Sequence, residues 1–194
     1  MTEPRQPSAD EVRALVQRIV DQTLDQDAAD AAPGSDGRTI VAIAGDHGGW
    51  RLKDAIGRWL EEHGYVVRDC GTDSDDAVDY PDLALAVAQL VADGSASWGI
   101  CVDGAGIGSA MAANKVPGVR AANCHDISSA RNSREHNYAN VLTLGSGFLG
   151  NALALQIVGT WLETDWGAER HGRRVEKISA IERSYTGAPG GKDR

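Results

Sequence analysis

From residue 39 onward, short apolar runs rich in β-branched residues alternate with longer amphipathic stretches. The runs TIVAIAG (39–45), GYVVRDCG (64–71), WGICVDG (98–104), GVRAANC (118–124) and NVLTLGSG (140–147) read as strands. Between and after them, residues 49–63, 81–93, 107–115, 127–136 and 150–163 carry helical spacing. Five alternations of strand and helix predict an α/β domain over residues 39–194. Its architecture is a Rossmann-like three-layer αβα sandwich around a five-stranded parallel sheet.

Ahead of residue 39 the rhythm changes. Ser8 followed by Glu11 makes a capping box. Val12, Leu15, Val16, Ile19, Val20 and Leu24 then fall on one helical face, which predicts a separate amphipathic helix within residues 1–24. Residues 25–38, DQDAADAAPGSDGR, are acidic and small with no apolar stripe, and read as a flexible linker. A short helix alone in water is marginal, so the stripe calls for a partner. It either folds back on its own domain or a sister subunit, or docks elsewhere on its tether.

Composition narrows the classes. At 194 residues, 42% hydrophobic and 24% charged, the chain has the make-up of one soluble domain with an appendage. No apolar run reaches the roughly 20 residues of a membrane span, and the N-terminus lacks the pattern of a secretory signal. A net charge of −9 argues against nucleic-acid binding, which needs a cationic surface. Cys70, Cys101 and Cys124 have no metal-type spacing and suit no disulfide framework. They read as small buried hydrophobes in a cytoplasmic protein.

Parallel sheets bind ligands beyond the carboxyl ends of their strands, so the chemistry is sought there. The first strand is followed by Asp46 and His47, and the third by Asp103 with the glycines Gly104, Gly106 and Gly108. The helix after the fourth strand ends with Arg134, His136 and Asn137. Near the C-terminus, Arg170 and Arg174 stand four apart, on one face if that stretch is helical, as a phosphate clamp would need. A glycine turn before a helix can receive an anion, although here it fits neither the dinucleotide fingerprint nor a P-loop. Taken together at one ligand-binding edge, Asp46, His47 and His136 suit an anionic, hydroxylated molecule and acid–base chemistry. A phosphorylated sugar or polyol fits that description.

The motifs GDHGGWRLKDAI, GTDSDDAVDYPDLA, GICVDGAGIGSAMAANKVPGVRAA, REHNYANVLTLG and ERHGRRVEKI, in that order, resemble the ribose-5-phosphate isomerase B and galactose-6-phosphate isomerase family. The resemblance implies a cofactor-free aldose–ketose isomerase acting through an enediolate, with ribose 5-phosphate and ribulose 5-phosphate as the leading pair. It also implies a homodimer or tetramer with shared active sites. Asp46 and His47 would then bind the sugar and help open its ring, and His136 would be the ring-opening acid–base. Asn137 and the backbone of Gly104–Gly108 would stabilise the enediolate, while Arg170, Arg174 and Arg134 would hold the phosphate.

The chain departs from the family at the base. Where many members carry a Cys it has Asp103, and where others carry a Glu it has Ser109; Ala105 replaces a Thr. Asp103 is therefore the expected proton-transfer base, since a carboxylate at a pocket wall can take a proton α to a carbonyl. The same departure also fits a different phosphosugar, such as a hexose 6-phosphate or deoxy sugar phosphate, or a homologue that binds without turnover. The N-terminal helix and linker resemble, by type, the encapsulation peptides of bacterial microcompartment cargo. On that reading residues 8–24 would dock on shell or cargo proteins; an oligomerisation helix fits the same pattern.

Overall fold

A computed structural model describes residues 38–186 of the chain. The helix expected within residues 1–24 and nearly all of the linker expected at 25–38 lie outside the described residues.

Five strands form the sheet: β1 (Ile40–Gly45), β2 (Val66–Asp69), β3 (Trp98–Asp103), β4 (Ala121–Asn123) and β5 (Val141–Gly145). Six helices are interleaved: α1 (Trp50–Glu62), α2 (Tyr80–Ala92), α3 (Ile107–Ala113), α4 (Ile127–Asn137), α5 (Asn151–Glu163) and α6 (Glu169–Thr186). All strand pairs are parallel, in the order β2-β1-β3-β5-β4. Chain direction reverses after β2, so the topological switch point lies between β1 and β3. In such sheets that crevice is where ligands bind.

Alternation along the strands sends side chains to two separate cores. Val41, Ile43, Ile100, Val102, Leu142 and Leu144 pack with α1, α4 and α5, where Trp161 is wholly buried. Ala42, Ala44 and Cys101 face α2 and α3. The second core is built largely from alanine, which lets those helices approach closely. All three cysteines are buried and free, as the sequence implied.

Two differences from the sequence reading bear on function. The stretch holding Arg170 and Arg174 is an 18-residue helix, α6, placing the two arginines on one face. And α4 runs from the carboxyl end of β4 back to the amino end of β5, so residues at its C-terminus reach the edge of the sheet opposite the switch point.

Candidate active site

The upper edge is organised by two carboxylates at neighbouring strand ends. Gly45 of β1 stands in register with Val102 of β3, and the Asp46 N–H donates to Val102 O at 3.1 Å. Asp46 and Asp103 are thus the next residues on adjacent strands. Asp46 Oδ1 accepts the N–H groups of Gly48 and Gly49, both at 2.9 Å, which turns the chain into α1. This turn needs glycine at 49, because a Cβ there would lie 2.1 Å from Val102 O. Ser146 fastens the two strand ends together, with its Oγ 2.8 Å from Gly48 O and 3.1 Å from Asp103 O.

Asp103 is 4% exposed, and both its oxygens are engaged within its own loop. Oδ1 accepts from Ala105 N at 2.7 Å and from Gly106 N; Oδ2 accepts from Ser109 N at 3.0 Å and Ser109 Oγ at 2.5 Å. The anion that this glycine loop receives is its own aspartate. Gly106 makes the arrangement feasible, with φ of 75° and a Cβ position that would fall 2.1 Å from Asn123 Nδ2. Thr143 Oγ1 donates to Gly106 O at 2.8 Å and holds the loop from β5. Of the loop donors expected to face substrate, Gly104 N–H is exposed and donates to no group among the described residues.

His47 is exposed beside this loop, its Nδ1 accepting weakly from Val78 N at 3.4 Å. With Nδ1 accepting, Nε2 is the nitrogen that carries the proton in the neutral ring. Cys101 sits two residues before Asp103 but is 2% exposed, and burial pushes its thiol well up. It is not a nucleophile or base for this cleft.

His136 is elsewhere. It lies at the lower end of α4, across the sheet from Asp46, so the sequence expectation of one edge holding Asp46, His47 and His136 is corrected for a single chain. About five residues of β5, some 16 Å of strand, separate the two levels. At this lower edge the His136 ring stacks on His171, with centroids 4.2 Å apart and planes at 12°. Asn132 Nδ2 donates to His136 Nδ1 at 2.8 Å, which leaves the proton on Nε2, 3.7 Å from Glu135 Oε1. Asn137 is exposed next to it. Arg170 and Arg174 are exposed on α6 and form no ion pair with other described residues. His171 is 4% exposed with a buried, unpartnered Nε2. Desolvation first, then His136, Arg170 and Arg174, lowers its proton affinity.

Arg134 does not join this group. It is 3% exposed, and its Nε lies 3.1 Å from Trp161 O and 3.2 Å from Thr164 O, while Nη1 donates to Ala139 O at 2.7 Å. Its guanidinium stacks over Trp98 at 3.8 Å and Trp161 at 4.7 Å. Burial brings its pKa down to about 10, within the range where it stays charged at neutral pH. The expected phosphate ligand is instead a structural cation that caps the C-terminal carbonyls of α5. Near it, Tyr138 stacks on Trp166 at 4.9 Å and donates to Gly167 O at 2.9 Å, which steadies the segment leading into α6.

Three residues at the upper edge have contacts that the sequence did not show, Ser109 having been noted only as standing in place of a Glu. Ser109 anchors Asp103, Ser146 links two loops, and His125 follows β4 with a buried, unpartnered Nδ1 and its ring 5.4 Å from Phe148. Hydroxyl partners of this kind leave no spacing pattern. His125 follows a predicted strand end and was open to notice there.

Comparison with known proteins decides the family. The sequence profile of the family described as Ribose/Galactose Isomerase matches residues 41–178. The chain belongs to that family. It is 45% identical over 142 residues to ribose-5-phosphate isomerase B of Escherichia coli K12, covering 73% of this chain and 95% of that one. It is 38% identical over 143 residues to D-erythrulose-4-phosphate isomerase of Pectobacterium atrosepticum, covering 73% and 94%. Among solved structures, Clostridium thermocellum ribose-5-phosphate isomerase B superposes with a TM-score of 0.75 at 48% identity, covering 76% of this chain and 99% of the other.

As a member of the ribose/galactose isomerase family, the chain is a sugar-phosphate isomerase with a Rossmann-like α/β fold. Among the described residues, no three His, Cys, Asp or Glu side chains converge as a metal site would require. No described helix is long and apolar enough to cross a membrane. The candidate residues form two groups: Asp46, His47, Asp103 and the Gly104 N–H above, and His136, Asn137, Arg170 and Arg174 below.

Proposed function

We propose that this enzyme interconverts an aldose phosphate and its ketose, with ribose 5-phosphate and ribulose 5-phosphate as the leading pair. Its active site would be assembled from two copies of the chain. The observation that carries this reading is the separation of the half-sites to opposite edges of one sheet. The halves are complementary: above, two carboxylates stand beside an uncommitted N–H while the exposed Arg51 is tied to Asp75; below, Arg170 and Arg174 are unpaired among the described residues and the Glu135 carboxylate lies against His136. An isologous dimer, in which the upper edge of each copy meets the lower edge of the other, completes two sites at once.

Exposed apolar side chains support such a contact. Ile107 and Met111 of α3 and Phe148 are exposed at or near the upper edge, and Ile178, Ile181 and Tyr185 are exposed on α6. A groove of about 650 Å³ runs between α6 and the β4 side, lined by Ile178, Ile181, Tyr185 and Asn137 among others. Within the composite site, Arg170 and Arg174 would hold the phosphate through charge-assisted bonds. His136 Nε2–H would donate to the ring oxygen as the sugar opens, and Asn137 and Gly104 N–H would receive enediolate charge.

Substrate length is open to direct test. A Mycoplasma genitalium relative of 39% identity was solved with bound ribulose-5-phosphate, whereas the Pectobacterium relative acts on a four-carbon sugar phosphate. Turnover of ribose 5-phosphate, compared with four- and six-carbon aldose phosphates, decides between them. The five-carbon reading predicts the highest kcat/KM for ribose 5-phosphate; a preference of tenfold or more for another chain length replaces it. On the sequence pattern alone, we also carry forward residues 8–24 as a docking segment for shell or cargo proteins of a microcompartment.

A further inference from the structure

We infer that Asp46, and not Asp103, is the base that moves the proton between C1 and C2. This rests on the isomerase reading above and names the residue that performs its central step. The two carboxylates are adjacent in register, yet their surroundings assign them different work. All of Asp103's contacts are to donors of its own loop, two on each oxygen, and the residue is sealed from the cleft. A base must present a lone pair to the carbon acid along the line of proton transfer, and Asp103 presents none.

Asp46 is held on one side only. Its Oδ1 takes the Gly48 and Gly49 N–H groups, which fixes the carboxylate plane. Its Oδ2 has no partner among the described residues and is not among the fully buried unpaired atoms. Asp46 is 9% exposed, so that oxygen keeps an unengaged, partly solvent-accessible lone pair at the upper edge. The uncommitted Gly104 N–H lies alongside: a Cβ placed on Gly48 would be 3.4 Å from Asp46 Oδ1 and 3.9 Å from Gly104 N. A fixed carboxylate beside a free backbone donor is the pair that enolisation needs, one to take the proton and one to hold the oxyanion.

The step balances without any added reagent. Asp46 Oδ2 takes the C2 proton of the open-chain aldose, and the C1 carbonyl oxygen becomes the enediolate oxygen facing Gly104 N–H. The O2 hydroxyl proton passes to O1. The Asp46 carboxylic acid then returns its proton to C1 as O2 closes to the ketone. Asp103 acts through the loop: with Ser109 it sets the direction of the Gly104 N–H and is a positioning residue. Replacement of the family's Cys by Asp at this position has thus turned the end of β3 from a reacting group into a brace.

The test compares Asp46→Asn and Asp103→Asn in the full-length protein, following ribose 5-phosphate turnover and exchange of its C2 proton in D₂O by NMR. Asparagine at 46 keeps the oxygen that accepts from Gly48 and Gly49, so the turn is preserved; circular dichroism and phosphosugar affinity check this. The inference predicts that Asp46→Asn lowers kcat and C2 exchange about a thousandfold with binding within a few-fold. Asp103→Asn is predicted to lower kcat by about tenfold with a modest rise in KM and C2 exchange retained, because it misaligns the Gly104 N–H without removing the base. Full C2 exchange in Asp46→Asn, or its selective loss in Asp103→Asn with KM unchanged, overturns the assignment. If the parent protein exchanges no C2 proton on four-, five- or six-carbon aldose phosphates, the isomerase reading fails first and takes the inference with it.

Discussion

Arg134 sits beside His136 in sequence, where residue type and spacing suggest a phosphate ligand, but its donors end on the backbone carbonyls of Trp161, Thr164 and Ala139. A sequence shows that a cation is near a histidine; it does not show which way a buried guanidinium points. Arg134→Ala is predicted to lower stability by about 3 kcal/mol in urea denaturation, because it strands carbonyls and opens space between two indoles. Arg134→Lys would not recover it, since a point charge cannot reproduce the planar fork. Asp103 was legible as an anomaly and illegible in role, since saturation of its oxygens depends on Ser109 and on the φ of Gly106. The cysteines were read correctly because small apolar strand positions are buried in any such sheet. Burial raises the Cys70 thiol to about 12 and moves those of Cys101 and Cys124 upward. The described fold should therefore resist Ellman's reagent at pH 8, with all three thiols reacting only after denaturation.

Among the elements, strands and helices after residue 39 were readable because β-branched runs and helical spacing keep distinct periods. The helix carrying the paired arginines was less so, since a charged stretch such as ERHGRR has little apolar stripe to reveal it. The packing of α6 on α4 through His171 gives a pH dependence. The proton affinity of His171 is lowered in the folded state by burial, by His136, Arg170 and Arg174, with Glu135 opposing them. Between that lowered value and the ordinary imidazole pKa of about 6.5, the unfolded chain binds more protons than the folded one. Its contribution to stability is therefore present above about pH 6.5 and is lost as pH falls below it. Thermal melts from pH 7.5 to 5.5 should show Tm falling, and His171→Asn should flatten that slope. At the N-terminal segment, deleting residues 1–24 is predicted to leave isomerase turnover unchanged while abolishing co-purification with shell proteins. Unchanged co-purification would end the docking reading.

On the scale of the whole molecule, the candidate residues named from the sequence fall into two groups at opposite edges of the sheet. The switch point between β1 and β3 follows from strand order, which fixes Asp46, His47 and the Gly104 loop at one edge. The direction of α4 carries His136 and Asn137 to the other; the resemblance implied a site shared between copies, but periodicity and spacing did not show which residues fall on which edge. That division comes from the geometry, and the exposed apolar side chains on α3 and α6 support a contact between copies. The proposed shared site requires a second copy turned to present the complementary edge.

Mixed-oligomer complementation tests this most directly. Asp46→Asn and His136→Asn proteins are prepared separately, unfolded and refolded together in equal amounts, and assayed on ribose 5-phosphate. Each alone is predicted to retain under about 1% of parent activity, since each lacks an acid–base group worth two or more orders of magnitude. In a statistical mixture half of the dimers are hybrid, and each hybrid carries one intact site, so recovery of about a quarter of parent activity is predicted. Hybrid dimers that form, as shown by differently tagged chains, yet show no more activity than the two variants apart would contradict the shared site.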